Sequence, residues 1–90
     1  MRALLTATLA ATVLGAGLAQ AYAASCQELW VERNQYYKDA GYCFETERAI
    51  AYFGNGGCWV HGQSNVRLSS TAQRAIEQIV SQERRQGCSD

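Results

Sequence analysis

From Gln27 to Ala40 the apolar residues recur at helical spacing. At about 100° per residue, Leu29, Trp30, Tyr36, Tyr37 and Ala40 fall within an arc of about 120°. One charge interrupts this stripe: Arg33 lies about 40° from Leu29, near the middle of the arc. Its aliphatic stem can pack in a core, but an isolated buried guanidinium is costly, so it requires partners. The expected partners are carbonyls at a helix end or loop, or the carboxylates of Glu45 and Glu47. Exposed in a groove, the same group could instead clamp an anion or carboxylate. Asn34 stands at the edge of the arc, placed to brace the turn after Gly41 through its amide. Gly41 suits the left-handed position that ends a helix, and Tyr42 and Phe44 then flank Cys43 in an extended turn.

Two further helices follow from the same pattern. A short one runs from Glu45 or Thr46 to Phe53, with Ala49, Ile50 and Phe53 on one face and Gly54 as its stop. In the third, Ala72, Ala75, Ile76, Ile79 and Val80 follow an i, i+3, i+4, i+7, i+8 spacing. Ser69 or Ser70 caps it, with Gln73 placed for a capping box if the cap is Ser70. Arg84 and Arg85 occupy its last turn, where the helix dipole favours cations, and Gly87 follows. Between the second and third helices, Gly54-Asn55-Gly56-Gly57-Cys58 is a turn-rich loop. Trp59 and Val60 are expected to anchor that loop on the core, and residues 61–65 return to solvent. The fold class is therefore mostly α: a small three-helix domain.

The start of the chain has a different character. Met1-Arg2 precedes an uncharged run from Ala3 to Ala19, and Ala21-Tyr22-Ala23 supplies small residues at the positions a signal peptidase reads. Cleavage before Ala24 is expected, giving a signal peptide over 1–23 and a domain over 24–90. The apolar run is about seventeen residues, short of the roughly twenty needed to span a bilayer. No membrane insertion is therefore expected after cleavage. Ala23-Ala24-Ser25-Cys26 loosely resembles a lipobox, which would anchor a lipoprotein at Cys26. The Ala three residues before the cysteine and the polar spacer at Gln20 disfavour it, and it would leave an odd number of thiols. The expected location is the periplasm or the extracellular space. Without Arg2, seven basic side chains face eight acidic ones, and this balance gives no electrostatic reason to expect a nucleic-acid partner.

A domain this small has a marginal core unless it is stapled. Cys26, Cys43, Cys58 and Cys88 form an even set in an exported chain, which argues for two disulfides. A structural zinc site would favour close ligand pairs, whereas these cysteines are 17, 15 and 30 positions apart, so no metal is expected. A continuous helix over 27–40 separates its ends by roughly 20 Å, too far for Cys26 to meet Cys43 at a Cα distance within about 7 Å. Two pairings remain. Cys43–Cys58 with Cys26–Cys88 is favoured, since the first closes a local loop and the second joins the chain ends.

Little else points to a reaction. His61 is the single histidine, and Ser64 and Ser70 stand in no nucleophile motif beside it. Gly54-Asn55-Gly56-Gly57 lacks the Lys-Ser/Thr ending of a phosphate loop. No catalytic residue and no cofactor are expected. The aromatic residues are many for so small a core. Most should be buried, while one or two near Arg33 or Arg48 could form a recognition patch.

Taken together, Leu29-Trp30-x-x-Arg33-Asn34-x-x-Tyr37-x-x-x-Gly41-Tyr42-x-Phe44, an aromatic before Gly54, and Cys58-Trp59 resemble the YARHG domain of bacterial exported proteins. Arg33, Asn34, Tyr37, Gly41 and Phe44 match that family's core motif. Of the five-residue motif that names the family, Tyr37 and Gly41 remain, and Lys38-Asp39-Ala40 replace Ala-Arg-His. No role resting on that arginine and histidine carries over. The resemblance implies an extracellular or periplasmic domain without an assigned activity, with Arg33, Asn34 and Tyr37 as its motif residues. The functional expectation is an exported non-catalytic module that binds an envelope component or protein partner, or is a structural element of the bacterial envelope. The alternatives are a small envelope enzyme pairing His61 with Asp39 or a glutamate, and an inhibitor presenting the 54–65 loop.

Overall fold

The computed structural model describes residues 24–89. The expected leader, residues 1–23, and Asp90 lie outside the described residues. The described chain forms α1 (Cys26–Asp39), α2 (Glu47–Phe53), a 3-10 turn (Gln63–Asn65) and α3 (Ser70–Gln86). Among the described residues there is no β-strand; an isolated parallel bridge joins Tyr42 to Val60. The mostly α class and the three helices are those the periodicity predicts.

Each helix starts on a side-chain oxygen. Ser25 caps α1 in a capping box: its hydroxyl accepts from the Glu28 N–H at 3.1 Å, and the Glu28 carboxylate accepts from the Ser25 N–H at 2.8 Å. The helix therefore begins one residue earlier than its apolar stripe suggests. Thr46 caps α2 by accepting from the Ala49 N–H. For α3 the cap is Ser69, accepting from Ala72. Gln73 does not complete a capping box; its amide reaches back to the Leu68 carbonyl at 3.0 Å.

The core has two parts. The first is aromatic: Trp30, Tyr42, Phe44 and Ala49 are buried together, with Val31, Tyr37, Phe53 and Val66 packed against them. Phe44, only 4 % exposed, stacks on Phe53 at 5.0 Å and meets Tyr42 edge-on at 5.1 Å. Burying a side chain of this kind contributes about 1.5–3 kcal/mol. The second part is the seam between α1 and α3, where Leu29, Ile76 and Ile79 are the buried apolar residues of the two helices outside the aromatic cluster.

Disulfides close both parts. Cys26 bonds to Cys88 with Cα atoms 5.5 Å apart, and Cys43 bonds to Cys58 with Cα atoms 5.1 Å apart. The chain-entropy argument assigns these loops about 4 and about 3 kcal/mol respectively. Gly87 makes the first bond reachable: in the left-handed conformation it ends α3, and the Cys88 N–H turns back to the Glu83 carbonyl. The Gln86 amide also donates to the Ala24 carbonyl across the joined ends.

The second disulfide holds the 41–61 segment. The Cys43 N–H donates to the Val60 carbonyl at 2.8 Å, and the Val60 N–H donates to the Gly41 carbonyl at 3.0 Å. Asn55 takes the place of a neighbouring strand for Phe44. Its side-chain oxygen accepts from the Phe44 N–H at 2.8 Å and its amide donates to the Phe44 carbonyl at 3.0 Å. Both backbone polar groups of a buried residue are thereby satisfied.

Two expectations are corrected here. Ile50 does not share the buried face of α2; it is 41 % exposed while Ala49 is buried. Trp59 does not anchor the loop by entering the core, since it is 68 % exposed. Its indole covers Gly41 instead: a Cβ on that glycine would lie 2.4 Å from the ring. The two residues meet because Gly41 has no side chain.

Candidate functional site

Arg33 turns from α1 towards α3 and meets Glu83. Its Nε donates to Oε1 at 2.8 Å and its Nη2 to Oε2 at 3.1 Å, a two-pronged pair with side chains 13 % and 12 % exposed. The match of a planar guanidinium to a carboxylate explains this geometry. Glu45 and Glu47, the partners expected from the sequence, are both exposed and do not form this pair. The signal for Glu83 was present: it lies seven residues after Ile76, about 20° away around α3 and so on its apolar stripe. A charge out of place on one stripe is answered by one out of place on the next.

Asn34 is buried, and its amide donates to the Trp30 carbonyl at 2.9 Å, one helical turn back. It does not brace the turn after Gly41. The backbone closes that turn, with the Gly41 N–H on Lys38 and the Tyr42 N–H on Tyr37. The Lys38 ammonium donates to the Gly54 carbonyl at 3.1 Å and so ties the ends of α1 and α2 together. Tyr37 is partly buried, its ring edge-on to Tyr42 at 5.9 Å.

Beside these residues, α1, α2 and the 42–46 segment enclose a cavity of about 300 Å³, with Trp30, Arg33, Asn34, Tyr42, Glu45 and Arg48 in its lining. Arg48 lies over the Trp30 ring, 3.8 Å from its centroid, an attractive position for a cation. The same guanidinium donates to the Gln27 side chain. The Tyr42 hydroxyl donates to Glu45 at 3.3 Å. Burial pushes the Tyr42 phenol above its ordinary range, and the neighbouring Glu45 carboxylate adds to the effect. A separate open groove of about 700 Å³ runs along the outer side of α1, with Val31, Tyr36 and Tyr52 as apolar lining and Glu28, Glu32 and Asp39 as its charges. Tyr52 is 56 % exposed there.

His61 follows the Tyr42–Val60 bridge and is not in the lining of either pocket. It is exposed, and its Nε2 stands 4.0 Å from Cys43 Sγ. Its backbone carbonyl accepts from the Asn65 amide at 2.8 Å. Among the described residues no group of His, Cys, Asp and Glu is clustered as metal ligands would be. No helix among them is long and apolar enough to cross a membrane.

The structure thus brings Arg33 and Asn34 into framework contacts, joins the four cysteines in two bonds, and leaves Tyr52 and Trp59 as large exposed aromatics. Most aromatics are expected to be buried and one or two exposed; Tyr52 and Trp59 are the exposed ones. The family model for the YARHG domain matches residues 4–84. That match begins inside the segment expected to be removed as a leader. No curated protein and no solved structure matches the chain.

Proposed function

The chain belongs to the YARHG domain family, and from that premise we propose that it is an exported, non-catalytic binding module of the bacterial envelope. Its two disulfides suit an oxidising compartment. One observation carries the reading: framework contacts take up the motif residues, while bulky aromatics stand at the surface. Arg33 is held by Glu83 and Asn34 by the Trp30 carbonyl, whereas Tyr52 and Trp59 are more than half exposed. Exposed Tyr and Trp on a rigid frame are the residues that dominate binding energy at protein interfaces. The motif would then preserve a scaffold, and the partner, an envelope component or another protein, would be recognised by what the scaffold displays.

The test is capture from an envelope extract by the processed, oxidised protein and by a Tyr52→Ala/Trp59→Ala variant. The reading expects a specific partner retained by the first and lost by the second. Turnover in a broad hydrolase screen that disappears with His61→Ala would overturn it in favour of an enzyme. Trp59 at the end of the glycine-rich loop also favours a second reading, an inhibitor that inserts the 54–65 loop into a target. Loss of capture with Trp59→Ala alone, from an extract fraction with hydrolase activity, would select it.

A further inference from the structure

The two disulfides differ in their surroundings, and the difference concerns chemistry rather than stability. Cys43 is buried at 6 % exposure, while Cys58 is part-exposed at the end of the glycine-rich loop. A Cβ placed on Gly54, Gly56 or Gly57 would meet nothing within 4 Å, so the chain leading to Cys58 is flanked by open space. Next in sequence is Trp59, the most exposed large apolar residue of the described chain. The ring of His61 stands against the sulfur of the buried cysteine, with Nε2 4.0 Å from Cys43 Sγ.

We propose that Cys43–Cys58 is a thiol-exchange site, at which the thiolate of a cysteine-bearing peptide or small thiol attacks Cys58. The incoming sulfur forms a bond to Cys58 Sγ, and the Cys58–Cys43 bond breaks with its electron pair leaving on Cys43 Sγ. The new thiolate appears beside His61 Nε2, which donates a hydrogen bond to it when that nitrogen carries the proton. Leaving-group stabilisation of this kind speeds exchange and favours the opened form. The mixed disulfide at Cys58 has two outcomes. Cys43 can attack back, restoring the protein and releasing the thiol unchanged. Alternatively, a second thiol attacks the incoming sulfur, so that two thiols are oxidised to a disulfide and the protein pair is reduced to two thiols. Trp59 and the side-chain-free glycines would form the surface on which a peptide carrying the cysteine rests.

The other bond provides an internal reference. Cys26 is exposed and Cys88 part-exposed, so the two bonds differ at the leaving sulfur and not in access: Cys88 Sγ stands 3.9 Å from the Gln86 side-chain oxygen, a lone-pair group that does not favour a thiolate. Arg84 and the Glu83-paired Arg33 line a depression beside Cys88, which makes the comparison a demanding one. Within the 41–61 segment the Asn55 contacts to Phe44 and the Val60 N–H bond to the Gly41 carbonyl do not run through the disulfide, so the proposal expects this bond to open while the Cys26–Cys88 bond keeps the chain ends joined.

The experiment uses the exported protein with both bonds formed, equilibrated in glutathione redox buffers, trapped by alkylation and mapped by peptide mass. The proposal expects a glutathione adduct on Cys58 and alkylation on Cys43, at ratios where Cys26–Cys88 is still closed. His61→Ala should raise the quotient of squared reduced glutathione over oxidised glutathione needed to half-reduce the pair about tenfold, a potential about 30 mV more reducing. His61→Asn, which keeps a donor, should fall between the two. Adducts on Cys43, or opening of Cys26–Cys88 first, would overturn the assignment of the site. An unchanged quotient in His61→Ala, with unaltered circular dichroism, would overturn the role of the histidine. Adduct mapping on the unsubstituted protein decides the first point even if the variants fold poorly.

Discussion

The α1–α3 seam and the 41–61 segment hold themselves together by different physics. In the seam, a charged pair sits at the edge of an aliphatic contact, Arg33 on Glu83, with the Cys26–Cys88 bond at the chain ends. In the 41–61 segment, backbone groups are matched by geometry: an asparagine side chain standing in for a strand, one short bridge, and an indole lying over a glycine. The first region depends on the chemistry of two side chains that can be exchanged together. The second depends on the absence of a side chain at one position and cannot be rebuilt by a compensating charge. The residues that resemble the family motif come from both, Arg33 from the seam and Gly41 and Phe44 from the 41–61 segment, which is what a motif preserving a frame would require.

The largest expected effect breaks the seam. Arg33→Ala leaves the Glu83 carboxylate mostly buried without its partner, and removing one member of a buried pair costs about 3 kcal/mol. Urea unfolding should show that loss, and Glu83→Ala should show a similar one. The double variant Arg33→Met/Glu83→Leu removes both charges and keeps apolar volume, so it should recover most of the stability. If the double variant is as unstable as the sum of the singles, the pair is not coupled and the account of the seam fails.

The next effect sharpens the contrast. Gly41 has φ of +86°, a conformation costing a residue with a Cβ about 1–2 kcal/mol, and its missing Cβ is where the Trp59 ring lies. Gly41→Ala should therefore destabilise by more than the backbone cost alone and expel the indole, seen as a change in tryptophan fluorescence. Adding Trp59→Ala should restore only the steric part, because the backbone cost remains. Full restoration would mean that the positive φ carries no strain. No restoration would mean that the ring contact is incidental.

These two regions were unequally legible in the sequence. Helical arithmetic alone picked out Arg33 as a charge requiring a partner. Applied to α3, the same arithmetic would have named Glu83, because both residues depart from the same kind of pattern. Asn55 gave no such sign: in Gly-Asn-Gly-Gly it reads as a turn residue, and its service to Phe44 exists only once Phe44 is extended beside it. The exposure of Trp59 is hidden in the sequence for a related reason. An indole usually signals burial, and nothing in the local sequence shows that its contact surface is the bare backbone of Gly41. The capping box at Ser25 and Glu28 is readable as a Ser-x-x-Glu spacing, but it lies where the expected leader gives way to the domain and no apolar stripe has yet begun.

The smallest effect concerns the start of α1, the element that serves both regions. The Ser25 N–H, and then the Ser25 hydroxyl, hold the Glu28 carboxyl below its ordinary value of 4.5. A carboxyl whose pKa is lower in the folded than in the unfolded chain adds stability at pH above the unfolded value. That contribution is lost as the pH falls through the folded value. The window therefore lies on the acid side, below about 4.5. Urea midpoints measured from neutral pH downwards should show Glu28→Gln less stable than the unsubstituted protein near neutrality. The two should converge as acid protonates Glu28 in both states. Because the capping box opens the helix that carries Trp30, Arg33 and Asn34, the acid loss should appear alike in probes of the seam and of the aromatic cluster. A difference between the proteins that stays constant with pH would show that Glu28 acts only through its uncharged hydrogen bond, leaving the charge at this helix end without effect.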